Sequence, residues 1–353
     1  MKKKRAALEA MSRLFFSSGG VRLQSFRRYL KQNRRLEEYA QFRADQEGID
    51  SAGYHGYAQW LAQEQIEEAA RAGRRAGVRL ALDLPLGVHP AGYDAWAYRD
   101  LFARGITAGA PPDTFFTRGQ DWGFAPLHPE AIRKEGYRYF ADCLAHQMQV
   151  AGLLRIDHVM GLHRLFWIPA GMPPSRGVYV RYPAEELYRV VCRESRRHRC
   201  EVVGEDLGTV PPEVRKGMRR HRLHRMVVLQ YEWKPNPARP FPTPSESSVA
   251  GLNTHDMDPF ESFWRSNRAF RKIVGGKGRP VLDRLLAWLA AGPARVLMVS
   301  LEDLWSERLP QNVPGTVSRL NWRRRARYSL EQFSRMKQVL ATLREIDHLR
   351  RRC

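Results

Sequence analysis

Apolar residues along the chain alternate between helix-like and strand-like spacing. Over residues 57–76 they recur at i, i+3 and i+4, and Gly77 follows, which predicts a helix that ends before a strand. The same reasoning gives six predicted strands, at residues 78–87, 152–159, 200–208, 226–233, 248–257 and 294–305. Helices alternating with strands in this way indicate a parallel α/β architecture.

Four of the predicted strands end in an acidic residue: Asp83, Asp157, Glu205 and Asp256. A (β/α)₈ barrel builds its active site from residues at the carboxyl ends of its parallel strands. An open doubly wound sheet is the alternative, but its G-x-G-x-x-G fingerprint is missing. The expected fold is therefore α/β, a TIM-type (β/α)₈ barrel in which only six of eight strands can be identified.

Arg155 and Asp157 lie two positions apart at the end of an apolar strand. Side chains at i and i+2 share one face of a strand, so both charged groups should face the barrel mouth while Ile156 faces the helices. A guanidinium beside a carboxylate favours its charged form, as a nucleophilic aspartate requires. An ion pair without chemical function is the alternative for an isolated R-x-D sequence.

Glu205 ends the next predicted strand along the chain. It follows apolar residues and Gly204, and apolar walls with a nearby carboxylate raise the proton affinity of a glutamate, as a general acid requires. Two carboxylates with opposite roles can cleave a glycosidic bond, with retention if they lie about 5–5.5 Å apart. The alternation of the strand does not decide between Glu205 and Asp206.

His255 and Asp256 end another predicted strand. Together they could hold the hydroxyls of a sugar and stabilise the transition state as the ring flattens. A metallohydrolase with His158, His255, Asp157 and Asp256 as ligands is the alternative, but it needs more histidines at strand ends than the sequence has. No metal site is expected.

The segment 88–129 is too long, and too rich in Gly, Pro and aromatic residues, to be a plain connection. Aromatic faces beside amides and carboxylates suit sugar rings, which stack and also need hydrogen bonds. A local hydrophobic cluster is the alternative for each aromatic residue. The candidate residues are Tyr93, Trp96, Phe115, Phe116, Trp122 and Phe124, with Asp94, Asp113, Gln120 and Asp121.

The chain of 353 residues is strongly basic, with a formal net charge of +22 that comes mainly from 49 arginines. Because the densest runs, at 196–199, 219–225 and 323–327, match no nucleic-acid-binding motif, we expect a solvated arginine-rich surface and no nucleic-acid partner. Four cysteines without C-x-x-C spacing indicate neither zinc nor disulfides. No membrane span or signal peptide is recognised, which predicts a cytoplasmic protein.

Six ordered motifs together resemble the 4-α-glucanotransferases, also called amylomaltases or disproportionating enzymes, of glycoside hydrolase family 77. The resemblance covers roughly residues 30–330. The motifs are GAPPD at 109–113, GQDWG at 119–123, RIDH at 155–158, GEDLG at 204–208, THD at 254–256, and NVPGT with NW at 312–322.

The resemblance implies a (β/α)₈ barrel that transfers α-1,4-glucan segments to another glucan or to glucose with retention, without a cofactor. It places the nucleophile on Asp157, the acid/base on Glu205 rather than Asp206, and the stabilising carboxylate on Asp256. The substrate-binding positions that it implies are Arg155, His158, His255, Asp113, Gln120, Trp122 and Asp94.

The sequence departs from the family pattern in three places. Ala91 stands where the family often has a carboxylate, and Met257 replaces an amide. The family also has a longer N-terminal portion with the first barrel strands, so we expect a shortened chain or a second polypeptide that supplies them. The expected regions are a basic helical segment at 1–50, the barrel at 51–330 with an insertion at 88–129, and a C-terminal helix at 331–353.

Two functions other than active glucan transfer also fit the sequence. The first is a catalytically impaired remnant that binds glucan, because an incomplete barrel leaves unpaired strand edges. The second is a polyanion-binding protein, motivated by the net charge of +22.

Overall fold

The computed structural model describes residues 2–49, 52–113, 116–276, 278–316, 318 and 320–351. Phe115 and Cys353, considered above, lie outside these residues. The strands are β1 (Leu80–Leu84), β2 (Ile106–Ala110), β3 (Gln120–Asp121), β4 (Ala151–Ile156), β5 (Arg164–Pro169), β6 (Val178–Arg181), β7 (Glu201–Gly204), β8 (His224–Val228), β9 (Ser248–Gly251) and β10 (Val296–Met298).

Fifteen α-helices lie in the described part of the chain. They are α1 (Lys2–Ser18), α2 (Gly20–Gln32), α3 (Leu36–Glu47), α4 (Gly53–Arg75), α5 (Tyr93–Ala97), α6 (Pro129–Lys134), α7 (Arg138–Met148), α8 (Ala184–His198), α9 (Pro212–Arg220), α10 (Leu229–Glu232), α11 (Phe260–Ser266), α12 (Arg268–Val274), α13 (Arg279–Ala290), α14 (Leu330–Phe333) and α15 (Lys337–Arg350). None of the helices described is both long and apolar enough to cross a membrane.

The main sheet contains the six strands that the sequence predicts. Its order is β1-β4-β7-β8-β9-β10, and every neighbouring pair is parallel. Sequential parallel strands with intervening helices are the winding of a (β/α) barrel, so the predicted incomplete barrel is confirmed. Among the described residues, no strand pairs with the outer edge of β1 or of β10.

Alternation along each strand separates the core from the site. On β4, Leu154 and Ile156 are buried in a core shared with Leu144 of α7 and Leu187 of α8. The intervening Arg155 faces the other side of the sheet, as the two-residue period of a strand requires. A second core lies where α11, α12, α13 and α15 cover β8, β9 and β10.

A second, four-stranded antiparallel sheet has the order β3-β2-β5-β6. Two of its strands, β2 and β3, come from the segment 88–129, and the other two from residues 164–181. The spacing of apolar residues along the chain does not predict this sheet. Its strands are short, and the close β2–β3 contact depends on backbone at Gly109, where a Cβ atom would lie 2.0 Å from the carbonyl oxygen of Gln120.

The first three helices pack against α4 at the N-terminal side. Phe26 of α2 and Tyr57 and Trp60 of α4 form a small buried cluster, and Arg5 of α1 pairs with Glu47 of α3 at 2.7 Å. The basic segment expected at residues 1–50 is thus described as helical from 2 to 47, and the C-terminal region has helix α15. The exact region boundaries stay predictions.

Gly204 lets the turn after β4 pack against the end of β7. A Cβ atom built on Gly204 would lie 2.7 Å from Cγ2 of Val159 and 3.0 Å from Cε of Met218. Gly204 thus makes room for Val159, and so brings the residues that follow β4 close to those that follow β7.

We predict that Gly204→Ala lowers the free energy of unfolding by about 1–3 kcal/mol, because the added methyl group overpacks a buried contact. Gly56→Ala is the matched control, since a Cβ atom there makes only ordinary contacts, 3.5 Å from Phe26, inside helix α4. Alanine should stabilise that helix by about 0.5–1 kcal/mol. Urea denaturation of both variants tests this. Equal stability of Gly204→Ala and wild type would contradict the packing described.

Candidate active site

Arg155 joins two carboxylates at the carboxyl ends of β1 and β4. Its Nη1 atom lies 2.7 Å and 2.8 Å from the two carboxylate oxygens of Asp83, and 2.8 Å from Oδ1 of Asp157. Asp83 is opposite Arg155 in the strand pairing, and Asp157 is two residues further along the chain, directly after β4. The side chain of Arg155 is only 16 % exposed, so these ion pairs are partly shielded from water.

Glu205 lies beside this group, directly after β7. Its two carboxylate oxygens accept hydrogen bonds from the backbone N–H of His158 at 3.0 Å and of Leu207 at 2.7 Å. Burial raises the pKa of Glu205, and the charge of Asp157 adds to this, although the two N–H groups and Arg155 oppose it. The raised pKa expected from the sequence is therefore confirmed.

Asp206 points into the protein instead. It is 1 % exposed, its Oδ2 lies 3.3 Å from Nε of Arg215 and 3.2 Å from Nε of Arg225, and its Oδ1 accepts the backbone N–H of Met226 at 2.9 Å. This carboxylate ties the end of β7 to α9 and β8. Glu205 and Asp206 therefore face different surroundings, a difference that the alternation of side chains along the strand does not reveal.

Asp256 is held by two side chains. Asn312 donates to its Oδ1 at 2.7 Å, and Nε2 of His255 lies 3.2 Å from its Oδ2. Burial acts to raise the pKa of Asp256, but the hydrogen bonds from His255 and Asn312 and the charge of Arg155 outweigh it, so the pKa lies below its ordinary value. The hydrogen bond to Asp256 in turn raises the pKa of His255.

His158 connects the site to the segment 88–129. Its backbone is left-handed, with φ 43°, and its ring packs edge-on against Trp122 with centroids 5.1 Å apart. Trp122 in turn stacks on Phe124. Burial lowers the pKa of His158 to about 4, so the imidazole is neutral at pH 7.

The remaining predicted residues of the segment 88–129 lie in different surroundings. Asp113 accepts the backbone N–H of Phe116 at 2.6 Å. Gln120 belongs to β3 and pairs with Ala110. Asp94 lies beside Tyr139 of α7, and burial raises the pKa of its carboxyl group. Trp122 thus contacts His158, whereas Asp94 contacts Tyr139 in the helical layer.

Three residues of this cluster are absent from the predicted site. Asp83 was recognised as a strand-end acid, but its pairing with Arg155 depends on the strand register. Asn312 lies in the NVPGT motif, far along the chain from Asp256. Tyr231 follows β8, and burial raises the pKa of its hydroxyl, with the charges of Asp113 and Glu205 adding to this. The sequence signalled Asp83 as a strand-end acid and Asn312 through the NVPGT motif, but it gave no signal for Tyr231.

A largely apolar cavity of about 150 Å³ adjoins Asp157, which lies in its wall together with His158. Its other lining residues come mostly from segments 84–88, 125–127 and 139–143. Within the part of the chain that is described, no group of three or more His, Cys, Asp or Glu side chains is arranged to hold a metal ion. The four ligands of the metallohydrolase alternative, His158, His255, Asp157 and Asp256, therefore do not form such a group.

The fold and the cluster define an α/β-barrel protein with carboxylates at the carboxyl ends of its strands. The chain matches the family model described as 4-alpha-glucanotransferase, of glycoside hydrolase family 77, over residues 1–331. It is 35% identical over 319 residues to a 4-alpha-glucanotransferase of Mycobacterium tuberculosis, covering 78% of this chain and 44% of the relative. It is 36% identical over 318 residues to one of Haemophilus influenzae, covering 76% and 45%.

Two solved structures share the fold. Amylomaltase from Corynebacterium glutamicum has 26% identity and a TM-score of 0.77, with 88% of this chain and 53% of that chain covered. Amylomaltase from Streptococcus agalactiae in complex with acarbose has 18% identity and a TM-score of 0.88, with 99% and 79% covered. The chain therefore belongs to the 4-alpha-glucanotransferase family, and it spans less than half the length of the curated relatives named here.

We predict that Glu205→Gln changes how stability depends on pH. Because the folded state raises the pKa of Glu205, its stabilising contribution is fully present below the unfolded pKa and is lost as pH rises through the folded pKa. Glutamine removes this loss. The free energy of unfolding of the variant, from urea denaturation between about pH 4 and about pH 8, should therefore increase relative to wild type as the pH rises.

A constant difference between the two proteins is also expected, because glutamine can accept only one of the two backbone N–H groups that now bind Glu205. The prediction concerns the slope with pH and not this offset. A difference that stays flat over the whole range would contradict a raised pKa for Glu205.

Proposed function

We propose that this chain transfers segments of α-1,4-glucans to another glucan or to glucose by a retaining double displacement. The observation that carries the proposal is the pair formed by Asp157, ion-paired with Arg155, and Glu205, buried with a raised pKa on the neighbouring strand. One group suited to be an anion and one suited to hold a proton are what glycoside cleavage requires. Membership of the 4-alpha-glucanotransferase family supports the same reaction.

In the first step, Asp157 would attack the anomeric carbon while Glu205 gives its proton to the glycosidic oxygen. The carbon–oxygen bond breaks, and a covalent glycosyl-enzyme forms on Asp157. In the second step, Glu205 would take the proton of the acceptor hydroxyl, which attacks the same carbon and releases Asp157. Protonation of one oxygen of Glu205 weakens the backbone hydrogen bond that this oxygen accepts, so the bonds from His158 and Leu207 also tune the acidity of Glu205.

Asp256 would hold ring hydroxyls at the cleaved bond. Its lowered pKa, set by His255 and Asn312, keeps it an acceptor for hydroxyl groups. The other substrate contacts that we propose are those of the predicted site: Arg155, His158, His255, Asp113, Gln120, Trp122 and Asp94.

Transfer would win over hydrolysis if the acceptor sugar excludes water from the glycosyl-enzyme. Trp122, Phe124 and the neutral ring of His158 offer a largely apolar wall on which a sugar can stack. An acceptor bound there reacts faster than water because it is already close and oriented. The cytoplasmic location expected from the sequence stays a prediction.

We predict that Asp157→Ala lowers transfer activity by at least about a thousandfold, because the covalent step loses its nucleophile. The assay is the conversion of maltotriose into glucose and longer maltooligosaccharides. Asp100→Ala is the control, since Asp100 is 81% exposed and its one ion pair in the described part of the chain is with Arg104, four residues further on. Added azide should restore cleavage in Asp157→Ala and give a β-glycosyl azide, because it enters from the side vacated by Asp157.

Equal activity of Asp157→Ala and wild type would contradict this mechanism. Wild type that binds maltooligosaccharides, seen by tryptophan fluorescence, but forms no products would favour the second candidate function, a glucan-binding protein without turnover. That candidate is favoured by one observation, the unpaired edges of β1 and β10 in the described sheet.

We also propose that a second polypeptide covers these edges. Support comes from Met298 on β10, which is 48% exposed. In a closed barrel, β10 would have a paired strand on each side. We expect the purified chain to self-associate through these edges, as measured by sedimentation. A stable monomer with cooperative unfolding and full transfer activity would contradict the proposal.

A further inference from the structure

A basic cavity lies at the amino ends of β7 and β8, at the opposite end of the sheet from Asp157 and Glu205. Its volume is about 310 Å³. The arginine, histidine and glutamate side chains that line it are Arg79, Arg199, Arg222, His221, His224 and Glu201, and the thiols of Cys192 and Cys200 also lie in the lining. The reaction proposed above uses none of them.

Glu201 is the one carboxylate in the described lining of this cavity, and two arginines and a histidine lie close to it. Arg79 approaches it at 3.2 Å, Arg295 at 3.3 Å and His224 at 3.0 Å. The lining has three guanidinium groups, of Arg79, Arg199 and Arg222, and the single carboxylate of Glu201, so the cavity keeps an excess of positive charge. Glu185, which is not in the lining, pairs with His221 at 3.1 Å.

Arg199 and Arg222 occupy backbone positions that favour glycine. Both are left-handed, with φ 53° and φ 58°, and they follow the ends of α8 and α9 respectively. Glycine takes this conformation without strain, whereas a side chain makes it unfavourable. Two successive helices therefore end in a strained arginine, and both arginines line the same cavity.

Stabilisation of the fold does not account for these two arginines. Basic residues in the last turn of a helix interact favourably with its dipole, which explains Arg196, Arg197, Arg219 and Arg220. Arg199 and Arg222 are beyond those turns, and neither forms an ion pair with any residue that the structure describes. Strained positions of this kind are kept where the side chain has a function.

We propose that this cavity binds a compact phosphate-bearing anion, either a phosphomonoester or a short oligophosphate. Guanidinium groups match phosphate oxygens with paired hydrogen bonds. The lining contains three arginines and no lysine. His224 adds a ring whose buried Nδ1 has no hydrogen-bond partner among the residues described. The size of the cavity suits a small anion better than a polymer.

The test is titration calorimetry of the full chain with inorganic pyrophosphate. Wild type should bind saturably, and Arg199→Gly and Arg222→Gly should each weaken binding about tenfold, with a larger loss in the double variant. Because glycine relieves the left-handed strain, the same variants should unfold at an equal or higher temperature than wild type. Arg219→Ala, which removes an exposed arginine outside the cavity lining, should bind like wild type.

Comparison of anions identifies the source of the phosphate. Inorganic phosphate, a hexose monophosphate and a nucleoside triphosphate, each in competition with pyrophosphate, would show which bearer is preferred. Unchanged affinity in the double variant, equal competition by sulfate and chloride, or binding of an oligonucleotide without binding of pyrophosphate would each overturn the proposal. Transfer activity is not the readout, so failure of the glucan proposal would leave this test intact.

Discussion

The bridge that Arg155 makes between Asp83 and Asp157 is the interaction on which the site depends. It links the carboxyl ends of β1 and β4 and keeps two carboxylates close together that would otherwise repel each other. Because Arg155 is largely buried, loss of either partner would leave charge poorly compensated. The neighbouring Glu205, which has no direct ion pair with Arg155, is then the carboxylate whose pKa burial can raise.

Backbone packing between the turn after β4 and the end of β7 sets the distance between Asp157 and Glu205. Gly204 admits Val159, and the backbone of His158 and Val159 bonds to Glu205 through its carboxylate and its carbonyl oxygen. A conformational change at the turn after β4 would therefore move Asp157, His158 and Glu205 together. The left-handed backbone of His158 belongs to the same turn, so strain there is balanced by these contacts.

Much of this could be predicted because buried parallel strands leave a simple pattern. The alternation of Leu154, Arg155 and Ile156 fixed which face carries charge, and acids at four strand ends indicated a common edge. The antiparallel sheet was missed because β3 has two residues and its contact depends on Gly109 backbone. The choice between Glu205 and Asp206 could not be made from periodicity, since it depends on Arg215 and Arg225, which are distant in sequence.

The most direct measurement of the central claim is identification of the residue that carries the sugar in the covalent intermediate. A 5-fluoro-α-glucosyl fluoride slows the second step, and digestion with mass spectrometry locates the label on the protein. The account predicts a single hexosyl adduct on the peptide that contains Asp157. Because the guanidinium of Arg155 positions that carboxylate, the adduct should be lost in Arg155→Ala. A label on Glu205, Asp256 or Asp83, or turnover with no label under these conditions, would contradict it.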